Sequence, residues 1–216
     1  MTYTGHVDPG GSPATRALDR LTITKLSVGP GDNNAYLLRC NTSGAQVMID
    51  AANEADRLLE AVGPAGLAGV ITTHRHADHW QALAAVTTTT GARSLAGVPD
   101  APELPVPTDG LSEGDTVRVG DCDLEVIHLV GHTPGAIALL YRDPAGVPHL
   151  FTGDSLFPGG PGRTWSRPDF LSLMRDLRAK IFARLPDDTW VYPGHGDDTT
   201  LGAERPHLDE WQARGW

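Results

Sequence analysis

The stretch T-T-H-R-H-A-D-H-W, residues 72 to 80, places His74, His76, Asp78 and His79 within six positions. Imidazole nitrogen and carboxylate oxygen are the donors that divalent zinc, iron or manganese accept. His74 and His76, one residue apart, can reach one ion from an extended segment or a tight loop. Asp78 and His79, adjacent to each other, can serve a second ion on the other side of that loop. Three further candidates lie downstream: His132 in V-G-H-T-P-G, Asp154 in F-T-G-D-S-L-F and His195 in Y-P-G-H-G. A glycine precedes each of them and permits the close backbone approach that a crowded site requires.

The set holds five imidazoles and two carboxylates. Seven donors suffice for two ions when one carboxylate is shared, with room left on each ion for solvent. That is the pattern of a two-metal hydrolytic centre, whose ions lie ~4 Å apart. The lack of cysteine ligands argues against a closed structural zinc site. A single His or Asp at a strand end is ordinarily capped or solvated, and His6, His128, His149 and His207 are read that way. The H-x-H-x-D-H cluster with its matching downstream Gly-His and Gly-Asp is too specific for that reading.

Such donors must be positioned by a rigid scaffold. The chain has 216 residues, with hydrophobic residues at 40% and charged residues at 20%, which suits one sizeable globular domain. Residues 1–20 read as a loose polar tail and residues 21–216 as a single domain. L-T-I-T-K-L-S-V (21–28) alternates and reads as a strand, as do A-Y-L-L-R-C, Q-V-M-I-D and A-G-V-I-T-T, the last running straight into His74. N-E-A-D-R-L-L-E-A-V (53–62) has helical spacing and is stopped by Gly63-Pro64. In the second half, T-V-R-V, D-L-E-V-I-H-L-V, A-I-A-L-L-Y, H-L-F-T-G-D and T-W-V-Y-P are strands. The clearest helix carries Phe170, Met174, Leu177 and Ile181 on one face, with Ser166 as its cap. His or Asp residues recur where strands end, and strand ends feeding loops are where scaffolds place chemistry.

The formal charge of −10 argues against a phosphate-backbone binder. No segment has the apolar length of a membrane span, and the N-terminus lacks the charged and apolar regions of a secretory signal. Cys40 and Cys122 read as buried free thiols in a reducing cytoplasm, with a pairing between them left open by the sequence. The expected partner is a small-molecule substrate, not a nucleic acid or a membrane. The sequence leaves the oligomeric state open.

T-H-R-H-A-D-H, G-H-T-P-G, T-G-D-S-L-F and Y-P-G-H-G, in this order, resemble the metallo-β-lactamase superfamily. D-N-N-A-Y-L-L and G-P-G-R-T are similar to its glyoxalase II (hydroxyacylglutathione hydrolase) branch. The resemblance runs from about residue 21 to about residue 205. It implies an αβ/βα four-layer sandwich, two mixed β-sheets face to face with helices outside, and a site at one edge. It implies His74, His76 and His132 on a first metal, Asp78, His79 and His195 on a second, and Asp154 bridging them. Asp50 matches the strand-end Asp that steadies the His loop, although a plain turn residue is an equal reading.

The resemblance implies two divalent ions, zinc first and iron or manganese next, and a metal-bound bridging hydroxide supported by Asp78 and Asp154. The substrate it implies is a thioester of a small thiol. Two departures bear on the thiol carrier. Only a short segment follows P-G-H-G, where long relatives use a C-terminal helical region to hold glutathione. Trp80-Gln81 stands where many relatives have small residues, and core packing is the preferred reading of Trp80. Arg163 in G-P-G-R-T is read either as a contact for an anionic substrate group or as a loop brace. The nearest alternative is a mononuclear iron persulfide dioxygenase, which shares T-H-x-H-A-D-H and is similar in placing iron on His74, His132 and Asp154. A lactonase or another hydrolase of this fold is a further alternative, and a non-catalytic metal-binding protein is the last.

Overall fold

The computed structural model describes residues 3–215. Seven strands form the first sheet in sequence order: β1 (Ala14–Ala17), β2 (Leu21–Val28), β3 (Asn33–Cys40), β4 (Gln46–Ile49), β5 (Gly69–Thr72), β6 (Arg93–Gly97) and β7 (Thr108–Leu111). β1 to β4 are antiparallel, and β4 to β7 run parallel. The second sheet uses β8 (Thr116–Val119), β9 (Cys122–His128), β10 (Ile137–Arg142) and β11 (Pro148–Gly153). A two-stranded ribbon, β12 (Leu156–Phe157) and β13 (Gly160–Pro161), precedes its last members, β14 (Trp190–Pro193) and β15 (Thr199–Thr200). Its order is β15-β14-β11-β10-β9-β8, with β11 and β14 the parallel pair. Both sheets are therefore mixed.

Three apolar clusters separate the layers. Leu21, Ile23, Tyr36 and Leu38 from the first sheet meet Leu124, Val126, Leu139, Phe151 and Tyr192 from the second, and this is the core between the sheets. The other face of the first sheet, with Leu26, Leu37, Met48 and Val70, is covered by helices α1 (Ala55–Val62) and α2 (Leu83–Thr90) through Leu58, Val62, Leu83 and Val86. The far face of the second sheet, with Ile127, Leu140, Leu150 and Val191, is covered by α3 (Arg167–Asp176) through Phe170, Leu173 and Met174. Two short helices, α4 (Leu201–Glu204) and α5 (Leu208–Arg214), follow β15, and α5 buries Trp211 in the same layer. This is the expected αβ/βα sandwich. Period-two alternation sends Leu21 and Ile23 inward and Leu26 and Val28 outward, so one strand feeds two apolar layers.

Ser166 caps α3 as its type predicts, with its Oγ accepting from the Asp169 N–H. The helix then widens into a π-helical stretch at Leu177–Phe182, which helical spacing does not reveal. The Thr run at 87–90 proves to be helical. Thr87 and Thr90 return their hydroxyls to the carbonyls of Leu83 and Val86, while Leu83 and Val86 pack on the sheet. Packing overrides the weak helix propensity of threonine there.

The reading of residues 1–20 as a loose tail is corrected for the described part of that segment. β1 pairs along the edge of β2, Val7 is buried, and the Tyr3 hydroxyl donates to Asp198 at 2.7 Å. An unpaired sheet edge recruits even a polar segment, because it offers backbone hydrogen-bond partners. Cys40 and Cys122, one on each sheet, are buried and free. Among the described residues no helix is long and apolar enough to cross a membrane.

Candidate metal centre

All seven predicted donors converge at one edge of the sandwich. Strand β5 ends at Thr72, and the chain then turns through His74, His76 and a short 3-10 turn at Ala77–His79. The loop after β9 carries His132, the end of β11 delivers Asp154, and the end of β14 delivers His195. His74 Nε2 lies 3.1 Å from His76 Nδ1 and 3.2 Å from His132 Nε2. On the other side, His79 Nε2 lies 3.2 Å from His195 Nε2, and Asp78 Oδ2 lies 3.4 Å from the same His195 nitrogen. Asp154 touches both groups: one oxygen is 3.3 Å from His79 Nε2, and the other is 3.6 Å from His132 and 3.5 Å from His195. Two triads with metal-binding spacing result, His74/His76/His132 and Asp78/His79/His195, and Asp154 completes a third with His74 and His79, one from each.

The close approach depends on glycine. A Cβ on Gly194 would stand 2.2 Å from Asp154 Oδ1, and one on Gly153, whose φ is +49°, would stand 2.6 Å from Thr73 Oγ1.

The family model described as metallo-beta-lactamase superfamily matches residues 28–195, which takes in every one of these donors. The chain belongs to the metallo-β-lactamase superfamily. It is 37% identical to a hydroxyacylglutathione hydrolase of Fuscovulum blasticum over 83% of this chain and 67% of that one. It spans 62–67% of the length of the hydroxyacylglutathione hydrolases it matches. Among solved structures it resembles ETHE1 from Myxococcus xanthus at 32% identity and a TM-score of 0.75, covering 86% of this chain and 82% of that one. It also resembles TTHA1623 in a di-iron-bound form at 31% identity and a TM-score of 0.67, covering 84% and 96%.

The superfamily cluster is held by a shell of acceptors that decides which nitrogen each imidazole presents. His79 Nδ1 donates to Asp50 at 2.8 Å, His132 Nδ1 to the Arg163 carbonyl at 2.6 Å, and His195 Nδ1 to the Gly31 carbonyl at 2.8 Å. His74 Nδ1 meets the Thr73 hydroxyl at 3.1 Å. In each case Nε2 is left facing the cluster. Asp50, buried and in the left-handed region at φ +57°, also accepts from the Thr73 N–H and hydroxyl, so it ties the His loop to β4.

The sequence reading missed two further supports. Asp100, fully buried, accepts from the Arg75 N–H, the Thr133 hydroxyl and the Gly135 N–H, which binds the His74–His76 loop to the His132 loop. Asn33 donates to the Asp78 carboxylate at 3.0 Å. Asn33 lies within the D-N-N-A-Y-L-L motif, which could have pointed to it, whereas Asp100 sits in a plain turn and carries no local signal. Trp80 packs toward the helix-covered core and donates to the Arg75 carbonyl at 2.8 Å, in line with its structural reading.

Burial first, and then the neighbouring histidines, hold His74 and His76 below the ordinary imidazole range. Burial also lowers His132, against the pull of Asp154. Burial opposes the charge on His195, but hydrogen bonds to Asp154 and Asp78 outweigh it and push the group up to about 10. His79 is likewise raised, by Asp154 and Asp50 against its burial. Asp78 is lowered by its hydrogen bond to His195, and Asp154 by the charge on His79 against the cost of burial. The donor set fits divalent ions. Ring nitrogens of three imidazoles converge, His74 Nε2 lying 3.1 Å from His76 Nδ1 and 3.2 Å from His132 Nε2, and among the described residues Asp154 Oδ1 is buried without a hydrogen-bond partner.

A cavity of about 390 Å³ opens beside the cluster, lined by His132, Asp154, Phe157, Arg163 and Arg214. The Arg163 guanidinium lies 4.4 Å from the ring centre of Trp165, which is 62% exposed.

Proposed function

We propose that this chain is a two-metal hydrolase that cleaves thioesters of a small, anionic thiol. The observation that carries the reading is the position of Asp154, in reach of both triads at once. His74, His76 and His132 would hold one ion, Asp78, His79 and His195 the other, and Asp154 both. Such a pair of ions, when bound, makes water acidic near neutral pH and polarises a carbonyl oxygen. Asp78 and Asp154 stay ionised and accept hydrogen bonds from an attacking water, so they aim it. Arg163 and Arg214 give the cavity a cationic wall suited to a carboxylate on the thiol carrier, and Phe157 adds an apolar face. The thiol released has a pKa of about 8.5, so it departs as thiolate without a dedicated acid. Cys40 and Cys122 lie in the core and supply no nucleophile.

We infer zinc as the ion, with iron the rival that the likeness to a di-iron protein supports. The two free thiols fit a reducing compartment, and we place the protein in the cytoplasm. The test is a panel of thioesters, hydroxyacylglutathiones included, assayed with a thiol reagent before and after chelation. Thiol release lost on chelation and restored by zinc is the expected result. Full activity of a His76→Ala/His79→Ala variant overturns the reading.

A single-iron sulfur dioxygenase is the second reading. It is favoured by the way His74, His132 and Asp154 set two imidazoles and one carboxylate side by side. About one iron per chain with oxygen uptake would establish it, whereas about two zinc per chain would exclude it.

A further inference from the structure

Lys25 is a lysine on the inward face of β2, in register with Leu21 and Ile23, and it is completely buried. Its ammonium makes three hydrogen bonds of 2.7 Å, to the Gly5 carbonyl, the Gly196 carbonyl and Asp198 Oδ1. The Asp198 side chain is equally buried, and its other oxygen accepts from the Tyr3 hydroxyl at 2.7 Å and from Trp190 Nε1 at 2.8 Å. The N-terminal segment lies directly across this pair. The Asp198 N–H donates to the Gly5 carbonyl, and His6 Nδ1 meets Asp197 at 2.6 Å. Gly5, at φ +83°, passes so near that a Cβ there would stand 2.6 Å from Asp198 Cβ.

The loop that this network grips is the one that carries His195. Gly196, the next residue, has a φ of +65°, and its carbonyl accepts from both Lys25 and Asn34 Nδ2. The Asn34 N–H holds the Gly194 carbonyl on the other flank. A buried ammonium has three donors to place and no water to place them in, so its acceptors are held in position.

We infer that the Lys25–Asp198 pair, with residues 3–8 laid over it, is a clamp that positions His195, so that filling of the second ion site depends on groups that never touch the ion. The inference rests on the two-ion reading above. Lys25, Asp198 and Tyr3 are positioning residues. The sites gripped differ: among the described residues no contact of the clamp reaches the His74/His76/His132 triad.

The test combines two measurements on the full chain and on Lys25→Met and Tyr3→Phe. The first is imidazole NMR of the zinc-free protein. His195 ring signals should shift and broaden in the variants, while those of His74 and His132 stay. The second is zinc titration against a chromophoric chelator. The second zinc should bind about tenfold more weakly in Lys25→Met and the first within about twofold, the range that supporting residues of a metal ligand command. Tyr3→Phe removes one hydrogen bond and nothing from the fold's core, so it decides the matter if Lys25→Met does not fold. Unchanged His195 signals, or equal weakening of both zinc ions, overturn the clamp. One zinc in the unmodified chain, with His195 still perturbed in the variants, overturns the two-ion reading and leaves the clamp standing.

Discussion

The two halves of the cluster use similar donors and are built in opposite ways. The His74/His76/His132 triad is largely buried, and its supports, Thr73, Asp50 and Asp100, sit in the loops beside it. The Asp78/His79/His195 triad is more open, with the Asp78 side chain 46% and that of His195 26% exposed. Apart from the bond of His79 to Asp50, its supports come from far along the chain: Gly31 and Asn33 in the first hairpin, and the Lys25–Asp198 pair. Their charge states differ too. The first triad is poised neutral, while the second holds raised imidazoles beside lowered carboxylates. Such a cluster can thus combine one pre-formed half with one that is assembled from long-range contacts and is coupled to protons.

Asp154→Asn should erase the distinction, because both halves share that carboxylate. We expect hydrolysis to fall by more than about a thousandfold and zinc content to drop below two per chain, read by assay and elemental analysis. Retention of both zinc ions would show that Asp154 does not join the halves.

Proton release should separate the halves most sharply. His195, raised to about 10 in the metal-free chain, carries a proton at pH 7 and must lose it to ligate. Affinity of the second ion therefore climbs as pH rises toward 10, by about tenfold per pH unit for each proton displaced. The first triad, lowered below 6.5, is already neutral at pH 7, and its ion should bind with little pH dependence from there upward. Calorimetric titration in two buffers of different ionisation enthalpy counts the protons. Equal counts for the two ions would remove the contrast.

Asp100→Ala mirrors the clamp on the other side. It frees the Arg75 and Gly135 amides and the Thr133 hydroxyl, and should weaken the first ion about tenfold while sparing the second. Selective loss of the second ion would refute the division of supports drawn above. The smallest effect is expected of Ser166→Ala. Losing the α3 cap should cost about 1 kcal/mol of stability in denaturant melts and change neither ion's affinity. A change in either affinity would mean that general stability, and not specific support, governs the cluster.

Much of this was legible without coordinates. The alternation of L-T-I-T-K-L-S-V placed β2, and the apolar spacing and Ser166 placed α3. The same alternation set Lys25 on the face of Leu21 and Ile23, a lysine on an inward row whose meaning needed its partners. Elements that packing imposes were not legible. β1 borrows a sheet edge, α2 carries its threonine run into a helix because Leu83 and Val86 pack on the sheet, and the π stretch of Leu177–Phe182 follows from no residue type.

The sequence by itself marked out the candidate donors, because a metal cluster demands particular side chains, and here four of them sit within six positions while glycines mark the approach of the rest. Only the tertiary structure decided what holds them. Asp100 reaches His132's loop from 33 residues away, and Lys25 reaches Gly196 from 171. Hydrogen bonds across such separations are chosen by how two sheets pack, and no local pattern of residues records that choice.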